Sequence, residues 1–321
     1  MRFSPYSEES GGGAGKADKR RALKKLKAFI LSPKQEPASL IDKIEQTFIS
    51  YHLPARVDCR EKKIDGILSD VISPEVMASK RIIIYVHGAS FIAGSRASWR
   101  SFCASLASEC STQVVLPEYR LAPDYPYPAA LEDIQIVFRK TYEKLLLQDD
   151  REPHIILAAD GVGASIVLAL VQTLKEELRQ AIRNVVLLSP WMDFDPQSPF
   201  LADKKATDGL VTADFITTCG HFYTSEENLA NPLISPLHIA ADQLAQFPPL
   251  YIQCGGDEPT TTGLQSFQKK LAEQGIDCIL DIWPGMMFMF QMAHEYLPQA
   301  HLAVQRVGSY IQNFNKTEET E

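Results

Sequence analysis

Six short apolar runs recur along the chain at intervals filled by amphipathic patterns, and this alternation limits the fold more than any other feature. The runs are Arg81–Val86, Gln113–Leu116, Ile155–Ala159, Val185–Leu188, Leu250–Cys254 and Cys278–Ile282. Helical periodicity lies between them, near Trp99–Ser108, Pro128–Leu147, Val162–Arg179, Thr262–Gln274 and Met292–Phe314. Strands that are apolar on both faces must be covered on both faces, so the pattern predicts a mostly parallel sheet between two layers of helices. None of the runs approaches the roughly 20 residues that cross a bilayer. Of the 321 residues, 45% are hydrophobic and 22% charged, which excludes extended disorder. The net charge of −8 argues against nucleic acid as a partner.

The ends differ from this core. Residues 1–15 are rich in Ser and Gly and read as a disordered tail, and 315–321 as an acidic one. Lys16–Lys27 carries seven basic residues against Asp18, with Leu23, Leu26, Phe29 and Ile30 at helical spacing. Such a helix reads as one that packs on the body with its charges in water. Together with a helix at 39–50 it forms an expected N-terminal cap over 16–52. The core is expected at 53–314, with a lid insertion at about 195–230 where the strand–helix rhythm breaks. The six cysteines are scattered without metal-site spacing, and no secretory h-region is legible. The default expectation is a cytoplasmic chain without metal or cofactor.

Five segments carry a resemblance: YVHGASFIAGS (Tyr85–Ser95), PEYRLAPDYPYPAALED (Pro117–Asp133), LLSPWMDF (Leu187–Phe194), NPLISPL (Asn231–Leu237) and LYIQCGGDEP (Leu250–Pro259). In this order they resemble the hormonesensitive-lipase-like branch of the α/β-hydrolases, which includes bacterial acetyl-esterases. The resemblance implies an eight-stranded sheet, a helical N-terminal cap and ester hydrolysis without a cofactor. It also implies a Ser on a strand-to-helix elbow, a His to take its proton, and an acid to orient that His. Backbone N–H groups of a His-Gly-Gly-Gly turn, with the N–H after the Ser, would hold the oxyanion.

At the elbow this chain reads Ala159-Asp160-Gly161-Val162-Gly163-Ala164, so Gly161 stands where the Ser belongs. The acid position falls on Glu258, with Asp257 as the one-residue alternative, and the His position falls on Phe288. The turn reads His87-Gly88-Ala89-Ser90, leaving Gly88, Ala89 and Val162 as the oxyanion-type donors. Substitutes fare poorly. Asp160 as nucleophile shifts the frame onto Val162, and Ser165 sits one turn too deep in the helix. His294, His301, His238 and His221 read as surface or capping residues. A dinucleotide reading of Gly161-x-Gly163 fails at Ile166.

Apolar side chains at Met286–Met292 suggest a cleft that is filled or lined for an apolar ligand, with His87, Phe91, Trp191, Met287 and Phe288 around it. The sequence therefore predicts an inactive α/β-hydrolase homologue that binds a small apolar molecule or acyl ester, or a protein partner, with a homodimer as a further option. The competing expectation is a carboxylic ester hydrolase whose catalytic groups have moved.

Overall fold

The computed structural model describes residues 15–31, 36–50, 52–78, 81–148, 153–201 and 208–318, without the side chains of 314–318. The expected tail at 1–15 lies outside the described residues except for Gly15, whereas 315–318 of the expected tail at 315–321 continue the last helix and 319–321 lie outside the described residues.

Eight strands form one sheet: β1 (Val57–Ile64), β2 (Ile67–Pro74), β3 (Ile82–Val86), β4 (Gln113–Pro117), β5 (Ile155–Asp160), β6 (Ile182–Leu188), β7 (Leu250–Gly255) and β8 (Cys278–Trp283). Their spatial order is β1-β2-β4-β3-β5-β6-β7-β8. β1 pairs antiparallel with β2, β2 pairs antiparallel with β4, and the remaining neighbours are parallel. Every residue of β3 and β5 is buried, as the continuous apolar runs require.

The helices are α1 (Lys16–Leu26), α2 (Ala38–Phe48), α3 (Arg96–Cys110), α4 (Ala129–Leu147), α5 (Gly163–Thr173), α6 (Glu176–Arg179), α7 (Ala213–Tyr223), α8 (Ala241–Leu244), α9 (Thr261–Glu273) and α10 (Pro298–Glu318). Two differ from the sequence expectation. The single helix expected over Val162–Arg179 is broken, because Leu174 and Lys175 take extended backbone between α5 and α6. The last helix begins at Pro298 and not at Met292. Proline lacks an N–H and fits the first helical position, so the chain turns through residues 293–297 before it.

The β1–β2 hairpin was not among the six expected strands. It closes through Asp65-Gly66, both at positive φ (46° and 94°), with Ile64 opposite Ile67. A two-residue turn with both residues left-handed matches the twist of the strands it joins.

Two contacts position the centre of the sheet. α5 is buried over its whole apolar length from Gly163 to Val171 and leaves directly from the end of β5. Gly163 makes this possible: a Cβ there would overlap the carbonyl oxygen of Val86 and lie 2.7 Å from that of His87. Nearby, Asp70 of β2 is 1% exposed and binds Arg96 at 2.6 Å and Arg100 at 2.7 Å, fixing the start of α3 against the sheet. Because both obstacles at Gly163 are backbone atoms, Gly163→Ala should separate α5 from β3. We expect a loss of about 1–3 kcal/mol in urea unfolding, with the midpoint lowered and the slope unchanged.

Candidate functional site

The site lies where β5 ends. Gly161 follows Asp160 with φ of +48°, its N–H donates to Leu188 O at 3.1 Å, and its carbonyl accepts from Trp191 N at 2.9 Å. The chain therefore makes a tight left-handed turn between strand and helix, pinned to the segment after β6. A Cβ on Gly161 would lie 3.5 Å from Phe288 Cζ and 3.8 Å from Gly88 Cα. The elbow, the aromatic ring and the turn after β3 thus meet around one point. The elbow has room for a side chain but carries none.

The Asp160 carboxylate is buried and bound by the scaffold beside that point. One carboxylate oxygen accepts from Tyr85 Oη and from Trp99 Nε1, each at 2.8 Å. The backbone N–H of Gly88 also interacts with this carboxylate. Complete burial pushes its pKa up to about 7 against the pull of these donors. Gly88, expected as an oxyanion-type donor, thus lies against the Asp160 carboxylate.

The residues after Gly88 keep an unusual backbone. Ala89, Ser90 and Phe91 have φ of 72°, 62° and 66° in succession, a region that side-chain-bearing residues avoid. All three are buried. His87 stacks on Tyr119 at 4.4 Å, its Nδ1 lies 3.1 Å from Gly88 O, and Tyr119 Oη donates to His87 O at 2.7 Å. Burial lowers the His87 pKa, so the ring is neutral at pH 7. Its role is to brace the turn.

On the other flank, Glu258 is fully buried whereas Asp257 is exposed. Glu258 Oε1 accepts from Ser189 Oγ at 2.7 Å and from Gly255 N at 2.5 Å. Its Oε2 has no hydrogen-bond partner among the described residues. Desolvation, reinforced by nearby Asp208, raises the Glu258 pKa to about 8. Asp208 in turn accepts Leu210 N and Val211 N at 2.9 Å, and Phe288 N at 2.8 Å. Ser189, at φ of 44°, also accepts Met289 N at 3.1 Å. Ser189 and Asp208 were not singled out from the sequence. The signal for Ser189 was its place in LLSPW, one step past the strand end; for Asp208 no sequence signal existed.

Of the expected cleft residues, Trp191 and Phe288 are brought together, with ring centres 5.0 Å apart. Phe29 lies 6.2 Å from Phe288 and stacks on Phe48 at 4.6 Å. Phe91 joins a different group, stacked on Tyr223 at 3.9 Å and 5.3 Å from Phe194. Met287 is buried beside Phe288 in the chain. The side chains considered as substitutes lie elsewhere. Ser165 Oγ donates to Ile234 O, His238 pairs with Asp193 at 3.1 Å, and His221, His294 and His301 are exposed. No group of three metal-ligating side chains occurs among the described residues. No helix among them is long and apolar enough to cross a membrane.

A family model described as the α/β hydrolase fold matches residues 83–292. Over 289 residues the chain is 28% identical to an esterase of Acinetobacter venetianus, covering 89% of this chain and 93% of the relative. It is 27% identical to an acetyl-hydrolase of Streptomyces hygroscopicus, covering 72% of this chain and 75% of that one. The crystal structure of an esterase from the bacterial hormone-sensitive lipase family superposes with a TM-score of 0.82 at 23% identity, covering 94% of this chain and 99% of the other. The expectation of an inactive scaffold is corrected by these relatives, which are named as hydrolases along most of both chains. The eight-stranded sheet, the elbow after β5 and the family match agree: the chain belongs to the α/β-hydrolase fold family.

Proposed function

We propose that this protein is a carboxylic ester hydrolase acting on short acyl esters, with a general base and water in place of an elbow nucleophile. The naming of relatives as esterase and acetyl-hydrolase supports the reaction class. The observation that carries the assignment of the base is the unpartnered Oε2 of buried Glu258, whose pKa of about 8 suits proton abstraction near neutrality. Ionised Glu258 takes a proton from water, and the oxygen of that water attacks the ester carbonyl carbon. The bond to the alcohol oxygen then breaks, and the proton passes from Glu258 to the departing alkoxide. Backbone N–H groups of Ala89 and Val162 are the donors assigned to the oxyanion. Trp191 and Phe288 border the acyl group, and α1, α2 and the α7 segment act as the cap that limits its length.

The full chain should hydrolyse p-nitrophenyl acetate, with a rate that rises with pH and levels off above an apparent pKa near 8. Glu258→Gln should lower the rate by about 100-fold or more and abolish this rise, since a positioned base contributes 10²–10⁴-fold. Unchanged turnover in Glu258→Gln would remove Glu258 from the reaction.

A serine-reactive organophosphate should not block the wild type at position 161, which has no hydroxyl. Gly161→Ser/Phe288→His should acquire that sensitivity, because the pair supplies a nucleophile and a base beside Glu258. Mass spectrometry of the labelled peptide decides the outcome. Inhibition of the wild type by covalent labelling of any serine would replace the water mechanism with a serine one.

Stability offers a third check. The folded-state pKa of Glu258 lies above its ordinary value of 4.5, so the folded protein binds the proton more tightly than the unfolded chain does. This contribution is fully present below about pH 4.5 and is lost as pH rises through about 8. Glu258→Gln, which cannot ionise, should therefore lose less melting temperature than wild type between pH 6 and pH 9, as read by scanning calorimetry.

A further inference from the structure

A groove of about 550 Å³ opens between the first two helices and the segment that follows Asp208. Lys24, Lys27 and Lys43 line it, Ala28 and Leu210 supply apolar wall, and no acidic side chain lines it among the described residues. In a chain of net charge −8, three cations around one concavity make a local field opposite to that of the whole molecule. Lys24 and Lys27 are exposed, and neither forms an ion pair among the described residues.

The groove also sits close to the elbow. Ala28 precedes Phe29, whose ring meets that of Phe288 edge-on at 6.2 Å. Gly209 and Leu210 follow Asp208, which holds Phe288 N at 2.8 Å. Two walls of the groove are thus one residue removed from groups that touch Phe288, and Phe288 lies against Gly161. Apolar side chains and ammonium groups around one concavity fit a chain that is apolar along its length and charged at its end.

We propose that this groove binds the anionic end of the substrate, an acyl chain bearing a carboxylate or a phosphate group, with the ester directed toward Gly161. The place of the ester rests on the hydrolase reading above; the recognition of charge does not.

The test uses the full chain and four probes measured by titration calorimetry: octanoate, octyl phosphate, inorganic phosphate and octan-1-ol. Octanoate or octyl phosphate should bind at least about tenfold more tightly than octan-1-ol, and the ratio between the two anions tells which head group the lysines prefer. Raising salt from about 50 to about 200 mM should weaken the preferred anion several-fold, because exposed charges are screened over a Debye length near 10 Å. Lys24→Gln/Lys27→Gln should weaken it about tenfold, and Lys24→Arg/Lys27→Arg should restore it to within about twofold. Octan-1-ol binding as tightly as both anions, or anion binding unchanged by the Gln pair or by salt, would overturn the proposal. Inorganic phosphate binding as tightly as octyl phosphate would also overturn it, by showing an anion site without a chain. Wild-type turnover of p-nitrophenyl acetate separates the two readings. Lysine-dependent binding without turnover rejects the hydrolase and keeps the groove, whereas turnover with lysine-independent binding does the reverse.

Discussion

Asp160 binds three parts of the molecule at once. Its carboxylate receives the Tyr85 hydroxyl from β3, the Trp99 indole from α3 and the Gly88 N–H from the turn that follows β3. A buried polar network of this kind is costly when incomplete and rigid when satisfied. Here it fixes the distance between the end of β5 and the turn after β3, and the elbow and the turn face each other as a consequence. Gly163 completes the junction from the other side by letting the backbone of α5 approach the Val86 and His87 carbonyls. Everything the site can do depends on these two devices holding the backbones together.

Backbone and side chains have diverged at this junction. Three successive residues, Ala89, Ser90 and Phe91, hold positive φ, and a non-glycine residue there costs on the order of 1–2 kcal/mol. The surrounding contacts outweigh that cost: Tyr119 and Trp99 pack against His87, and Tyr223 stacks on Phe91. The turn after β3 therefore holds positive φ without the glycines that would adopt it freely. At Gly161 the reverse holds, with a residue that adopts φ of +48° easily but brings no reacting atom. Phe288 fills the space in front of it and joins Trp191 and Phe29 in an aromatic layer.

The central sheet was legible in the sequence because β3, β5, β6 and β7 are buried on both faces over most of their length and carry continuous apolar runs. The β1–β2 hairpin was not, because β1 is an edge strand of mostly charged residues (VDCREKKI) whose exposed faces put no apolar pattern in the sequence. Its turn, Asp65-Gly66 between two isoleucines, was the available signal. At the site, the positions of Gly161, Glu258 and Phe288 followed from motif order. Their environment did not. That Asp160 claims the Gly88 N–H, that Ser189 holds Glu258, and that Asp208 reaches Phe288 from 80 residues away are products of packing between segments distant in sequence. The inactive-scaffold expectation rested on Gly161 and Phe288, whereas the relatives that match most of the chain are named as hydrolases.

That carboxyl group and its neighbour show how the fold assigns charge. Glu258 and Asp208 are both buried, close enough for Asp208 to raise the Glu258 pKa, and desolvation raises both. Two such groups resist being ionised together, so the charge goes to the one whose surroundings stabilise it better. Asp208 receives three backbone N–H groups, from Leu210, Val211 and Phe288. Glu258 receives one N–H and one hydroxyl, both on the same oxygen. The proton therefore stays on Glu258 at neutral pH. Asp208 is bound by the backbone of the residue that faces Gly161, so the place of its carboxyl group and that of Phe288 are one structural fact. Glu258 is left as the member of the pair whose pKa lies nearest neutrality, its Oε2 buried and without a hydrogen-bond partner among the described residues.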